Sequence, residues 1–187
     1  AMNEDLAGEY VLGDNIDAST ISNFQPVGNS SNPFTGSFDG QGHTFSGLQI
    51  NRSDESGVGL FGTIDNAGAV GNVTLASVDV TGKNNVGGFI GSAHHSAPIE
   101  NVDVSGTVNA TGLDTPGGTY HNIALGGLVG STIESDIKQS STTVDVTANL
   151  TGDSQQNIGG RVGVAEKSDS QYGSASGNAT TIGAKES

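Results

Sequence analysis

Apolar and polar residues alternate along this chain in short runs, and no segment holds a 3.6-residue period over a helical length. Tyr10-Val11-Leu12 followed by Asp14-Asn15-Ile16-Asp17 predicts a strand and then a turn, with Ile16 and Ile21 pointing inward. Phe24-Gln25-Pro26-Val27-Gly28 is too short and proline-marked for a helix, and Asn29 to Pro33 reads as a solvent-facing turn. Phe34, Gly36 and Phe38 then share one face. Asp39-Gly40-Gln41-Gly42 is predicted to turn the chain, and His43 and Phe45, then after a one-residue phase slip Leu48 and Ile50, take up the alternation again. Arg52 to Ser56 is a charged loop.

From residue 57 a unit repeats. Gly57-Val58-Gly59-Leu60-Phe61-Gly62 returns as Asn85-Val86-Gly87-Gly88-Phe89-Ile90-Gly91, Ala124-Leu125-Gly126-Gly127-Leu128-Val129-Gly130 and Asn157-Ile158-Gly159-Gly160-Arg161-Val162-Gly163. The closing glycines at 62, 91, 130 and 163 are 29, 39 and 33 residues apart. Between them, Val73, Leu75, Val78 and Val80 are echoed by Val102, Val104 and Val108, and then by Val144, Val146, Ala148 and Leu150. A glycine-punctuated strand unit at this interval is the pattern of a stacked repeat. The glycines admit the backbone of an adjacent layer or a turn with positive φ. At roughly 25 to 30 residues per turn, the chain makes about six or seven turns. The fold class is therefore all-β, a parallel β-helix or solenoid, with right-handed coiling expected from the rule for parallel crossovers. A β-sandwich of paired hairpins is the alternative. One domain spans 1–187, with N-terminal turns over 6–56, glycine-rich repeats over 57–163 and a degenerate segment over 164–187. In the fourth unit Arg161 replaces a large apolar residue, which suits a polar cap over an open end or a unit that continues beyond it.

Composition agrees with a narrow interior. Aromatics make up 5% and hydrophobics 33% of 187 residues, too few for a thick globular core, whereas a solenoid buries side chains against neighbouring layers. Twenty acidic residues against six basic ones give a net charge of -14, which argues against nucleic acid and anionic membrane as partners. The same charge suits a salty or calcium-containing extracellular medium. Without cysteine there is no disulfide scaffold or thiol site. Neither a signal-peptide pattern nor a run of about 18 apolar residues occurs, so this piece would insert in no membrane and an exported parent would have lost its signal from it. Ala1-Met2 reads as a remnant ahead of an internal start.

Phe34-Thr35-Gly36-Ser37-Phe38-Asp39-Gly40-Gln41-Gly42-His43-Thr44-Phe45-Ser46-Gly47-Leu48, followed by Gly59-Leu60-Phe61-Gly62 and Gly71-Asn72-Val73-Thr74-Leu75, resembles the GLUG-motif region of large bacterial surface and secreted proteins. Such regions occur in adhesins, haemagglutinin-like proteins and the non-catalytic part of some immunoglobulin A peptidases. The resemblance extends from about Tyr10 to Gly163 and weakens at Arg161. It implies a β-solenoid module of a larger exported protein and supplies no catalytic residue.

Candidate chemistry is sparse. His94 and His95 follow the second glycine unit and His121 precedes the third, so successive loops could bring them together on a metal, although exposed loop histidines fit the Ser and Ala around them. His43 reads as a structural hydrogen-bonding residue. Asp79 and Asp103, with Asp145 after them, occupy comparable points of successive units, and such a row would suit calcium or a sugar groove; the plain reading is an outward face alternating with valine. Asp79 with Lys83 and Asp136 with Lys138 are the nearest acid–base pairs. The insertion from Thr111 to His121 is placed where repeat proteins carry binding loops or tolerated slack. Asn-x-Ser/Thr triplets begin at Asn29, Asn51, Asn72, Asn109, Asn149 and Asn178, a density that composition largely accounts for. No phosphate-binding glycine loop is present.

The expected function is a non-catalytic structural or adhesive module of a bacterial cell-surface or secreted protein. It would meet a glycan or protein partner through flanks and loops and carry further domains of a larger parent. No catalytic or cofactor-binding residue is assigned, and calcium is the one cofactor left open. A polysaccharide-active β-helix enzyme or carbohydrate-binding domain is the alternative.

Overall fold

The structure, a computed structural model, describes residues 2–112, 123–150 and 156–183. A single 3-10 turn, Met2–Glu4, precedes β1 (Glu9–Val11) and β2 (Ile16–Asp17). The next pass of chain holds β3 (Ser37–Asp39), β4 (Thr44–Ser46), β5 (Gln49–Arg52) and β6 (Phe61–Asp65). Two regular passes follow, β7 (Val70–Gly82), β8 (Val86–Gly87) and β9 (Ile90–His94), then β10 (Ile99–Ala110), β11 (Ile123–Gly126) and β12 (Val129–Ile133). After these come β13 (Ile137–Lys138), β14 (Ser141–Leu150), β15 (Gln156–Gly159) and β16 (Val162–Glu166), and finally β17 (Ser170–Gln171), β18 (Ala175–Ser176) and β19 (Ala179–Gly183).

All pairings among these strands are parallel. A hairpin-built sandwich would need antiparallel pairs, so the all-β arrangement is consistent with a β-helix or β-rich solenoid. Twelve strands form one long sheet, β8, β11 and β15 a second, and β6, β9, β12 and β16 a third. In the third sheet Phe61, Ile90, Val129 and Val162 are in register. They inherit the 29, 39 and 33-residue spacing of the glycine unit.

Asp39-Gly40-Gln41-Gly42 does not turn the chain back, as the Asp-Gly pair predicted. β3, β4 and β5 all pair in parallel with one long strand, β7, so the segment is a loop-out within a continuing direction. Gln41 and Gly42 take positive φ there, and the Gly42 amide donates to the Asn72 carbonyl of the next layer at 2.7 Å. The phase slip between Phe45 and Leu48 is real: Gly47 sits at φ 69 and Ser77, in the next layer, at φ 55, so both layers slip together.

The interior is a set of columns. Ile50, Val80, Val108 and Val146 stack in register, as do Phe45, Leu75 and Val104, and all are buried. Phe61 anchors the N-terminal layers, with ring centroids 5.0 Å from Phe34 and 5.5 Å from both Phe38 and Phe89. Ile16 is half-buried and Ile21 is exposed rather than inward, because Ile21 closes a turn by donating its amide to the Ala18 carbonyl.

The closing glycines act through close approach, not unusual φ. A Cβ on Gly130 would lie 2.6 Å from the Asn85 carbonyl carbon and the Val86 nitrogen of the preceding layer. Of the repeat's glycines only Gly57, at φ 72, occupies the left-handed region.

Candidate functional site

Five surfaces are built by the stacking: two corners, the outer face of the long sheet, and the two solenoid ends. At the corner after β6, β9, β12 and β16, Asn66, His95, Glu134 and Lys167 all take φ near 50, at φ 50, 47, 51 and 49. The side chains of Asp65, His95, Glu134 and Lys167 form a ladder in which acidic and basic residues alternate. His95 Nδ1 is 3.1 Å from Asp65 Oδ1, His95 Nε2 is 3.9 Å from Glu134 Oε2, and Lys167 Nζ donates to Glu134 Oε1 at 3.1 Å. The Glu134 carboxylate holds the Lys167 ammonium above its usual pKa. Beneath the ladder runs a column of serines. The amides of Ala67, Ser96 and Ser135 donate to the hydroxyls of Ser96, Ser135 and Ser168, at 3.2, 3.0 and 3.0 Å.

A second corner stacks amides. Asn101 Nδ2 donates to Asn72 Oδ1 at 2.8 Å and Asn72 Nδ2 to Asp39 Oδ1 at 3.1 Å, with both asparagines at positive φ. Both corners satisfy polar groups along the axis and so tie layers together.

The outward positions of β7, β10 and β14 form rows parallel to the axis. Thr44, Thr74, Asp103 and Ser141 make one, and Gln49, Asp79, Thr107 and Asp145 another. Asn51, Thr81, Asn109, Thr147 and Thr180 make a third. Asp79 and Asp103 therefore do not stack: 24 residues separate them, whereas the register couples Asp79 to Thr107, 28 residues on. Asp145 shares the Asp79 row but is separated from it by Thr107. Each acid is committed to a neighbour: Thr107 donates to Asp79 at 3.2 Å, Ser141 donates to Asp103, and Asn178 donates to Asp145 through its backbone amide at 2.9 Å.

His94 and His95 have ring centroids 6.3 Å apart, and His121 lies outside the described residues with most of the Thr111 to His121 insertion. Among the described residues no group of three His, Cys, Asp or Glu side chains converges as a metal site. His43 is half-buried, and its carbonyl accepts the Thr74 amide at 3.1 Å. Lys138 stands 4.0 Å from Asp136 in a half-buried pair. Asp65 and Glu134 are distant from His95 along the chain and arrive from adjacent layers, which the local sequence around the histidine does not show. The signal was present: Asn66, His95, Glu134 and Lys167 are 29, 39 and 33 residues apart, the intervals of the closing glycines.

At the C-terminal end, the register places Arg161 where Leu60, Phe89 and Leu128 stand in earlier layers. Its guanidinium crosses toward the long sheet, donating to the Ser140 carbonyl at 3.0 Å and to the Ser170 hydroxyl, and partial burial lowers its pKa. At the other end, a cavity of about 430 Å³ opens among Leu12, Ile16, Phe24, Phe38, Phe45 and Phe61. Asn3 pins the 3-10 turn beside it, donating to the Pro26 carbonyl at 3.1 Å and accepting from the Gly28 amide at 3.0 Å.

Known proteins are similar to this chain in sequence or in fold. The chain is 39% identical over 148 residues to Halomucin of Haloquadratum walsbyi, covering 73% of this chain and 2% of that protein. It is 38% identical over 58 residues to a protein named Putative Gly-rich membrane protein of Evansella cellulosilytica, covering 31% of this chain and 7% of the other. The chain thus spans a small fraction of the length of either relative. In fold it is similar to a crystal structure of a candidate immunoglobulin A1 protease from Bacteroides ovatus, with a TM-score of 0.59 at 19% identity over 92% of this chain and 60% of that one. Among the described residues no helix is long and apolar enough to cross a membrane. Residues 1–106, more than half of the 187, match the M26 IgA1-specific metallo-endopeptidase N-terminal region, and the chain belongs to that family.

Proposed function

We propose that the chain is a right-handed parallel β-helix serving as a non-catalytic structural and adhesive module of a secreted or cell-surface protein. It would hold further domains of a larger parent away from a surface and meet a glycan or protein on another surface through its flanks. The observation that carries this reading is the commitment of the acids. Asp79, Asp103 and Asp145 each accept a hydrogen bond from a neighbouring layer on an outward face. Glycoside hydrolysis uses two carboxyl groups facing one bond, and these three face their own ladder partners instead. The family and the breadth of the relatives' chains support a modular role; the net charge of -14 favours an extracellular medium and disfavours nucleic acid.

The test pairs two assays on the purified chain. The first follows cleavage of immunoglobulin A1 and depolymerisation of neutral and acidic polysaccharides, with calcium and with chelator. The second follows attachment of cells or beads displaying the chain to coated surfaces. Attachment without turnover is the expected result. Turnover that disappears on Asp79→Asn or Asp103→Asn overturns the reading.

A further inference from the structure

The rows on the outer face differ in one respect. In the Asp79 and Asp103 rows, the Thr107 and Ser141 hydroxyls, and the Asn178 amide beyond them, are spent on the preceding layer's carboxylates. Ser105, Thr143 and Ser176, which stack in another row, are likewise engaged, through the Ser77 amide to Ser105 and through Ser176 to Thr143, and Ser46 donates to the Ile16 carbonyl. By contrast Asn51, Thr81, Asn109, Thr147 and Thr180 line up across five layers with no hydrogen bond from any of their side chains. A groove of about 370 Å³ begins the row, where Ser22 and Asn23 stand beside Gln49, Asn51, Asp79 and Thr81.

We infer that this row is the contact surface for an extended, uncharged polysaccharide running along the solenoid axis. The inference rests on the adhesive reading above and names the partner. Layers repeat at about 4.8 Å, and an extended β-1,4-linked glycan advances by little more than that per sugar, so each sugar meets an equivalent side chain. Asn and Thr offer both donors and acceptors, as a polyhydroxylated chain requires. The row itself is uncharged, and the nearest row carries Asp79 and Asp145, so an acidic glycan is repelled where a neutral one is not. No aromatic ring lies in the row for a sugar to stack on, so each contact is weak and binding accumulates along a polymer.

The test uses the full chain in affinity gels and pull-downs with cellulose, xylan, mannan and dextran, beside alginate and polygalacturonate. The triple variant Thr81→Val, Asn109→Leu, Thr147→Val removes hydrogen bonding from the row's centre and keeps strand-compatible shapes. Its thermal midpoint is checked against wild type. Retention by a neutral polymer, tighter with chain length, absent for the acidic ones and weakened at least tenfold in the variant, is the expected result. A folded variant that binds within twofold of wild type overturns the row while leaving the adhesive reading intact. Equal affinity for a trisaccharide and its polymer overturns the row as well. Wild-type chain retained by no polymer overturns the inference alone if displayed chain still attaches to protein-coated surfaces, and the adhesive reading too if it does not. Glycan covalently attached to Asn51 or Asn109 in material from the native host would cover the row and overturn the inference.

Discussion

Gly130→Ala tests the layer-setting role of the glycine unit most directly. A methyl group there would stand 2.6 Å from the Asn85 carbonyl carbon, 2.6 Å from the Val86 nitrogen and 2.7 Å from the Gly91 carbonyl oxygen. All three are backbone atoms, and Val86 belongs to a strand that is itself paired, so no side chain can swing aside. Overpacking costs about 1–3 kcal/mol where neighbours yield, and here the upper end, about 3 kcal/mol, is expected. For a domain of this size that lowers the thermal midpoint by about 6–12 °C. Gly13→Ala is the control: nothing lies within 4 Å of its added methyl group. It is expected to be neutral or to stabilise by about 0.4–1 kcal/mol through the unfolded chain. Circular dichroism melts and urea midpoints of the two variants read the difference. A Gly130→Ala midpoint within 2 °C of wild type, on the order of 1 kcal/mol or less, would refute close approach as the reason for the repeated glycine.

Thr132 is fully buried in the column of Ile64, Ala93 and Ala165, and its hydroxyl has no hydrogen-bond partner. Thr132→Val is therefore expected to stabilise by about 1 kcal/mol, read from the same melts. Ser135→Ala strands the buried Ser96 amide, which donates to the Ser135 hydroxyl at 3.0 Å. A loss of about 1–3 kcal/mol is expected, with faster hydrogen exchange at Ser96. The Asp17 carboxyl is held below its usual pKa by the Ser19 amide, which donates to it at 2.9 Å. Its contribution is present above the unfolded-state value and lost as pH falls through the folded one. Asp17→Asn should thus flatten the acid limb of stability below about pH 4, and a side-chain carbon titration of Asp17 should show the lowered midpoint directly.

Much of the fold was legible in the sequence because a solenoid repeats its geometry. The intervals of the closing glycines fix which residues stack, and the valine columns follow from them. What local reasoning missed is what crosses layers. Asp-Gly at 39–40 has the chemistry of a hairpin turn, but parallel strands on both sides of it were already committed to β7. The Asp79 and Asp103 alignment failed because it was drawn from similar local sequence, not from the interval. Applying 29, 39 and 33 to Asn66 would have delivered the His95, Glu134 and Lys167 corner, and the same intervals applied to Ala67 deliver the serine column. The engaged and free rows were out of reach, since threonine occurs in both and the hydrogen bonds that engage one of them cross between layers.

Stacking should punish a chain of charge -14, because a repeated acid meets its own copy in the next layer. At about 4.8 Å, Coulomb's law with water's dielectric gives about 0.9 kcal/mol of repulsion per carboxylate pair, and more where solvent is partly excluded. The outer face avoids this by interleaving: Thr107 stands between Asp79 and Asp145, which are then two layers, about 9.6 Å, apart. That distance is comparable to the Debye length of about 8 Å at physiological ionic strength, so the remaining repulsion is largely screened. Thr107→Asp removes the spacer and creates two adjacent pairs at once, besides deleting the hydrogen bond to Asp79. A destabilisation of about 2 kcal/mol is expected at 20 mM salt, falling by more than half at 1 M, where the Debye length is about 3 Å. Thr107→Asn keeps a donor without charge and should lose little at either salt. If the aspartate variant melts with the same salt dependence as wild type, the interleaving is incidental and the acids sit on this face without electrostatic constraint.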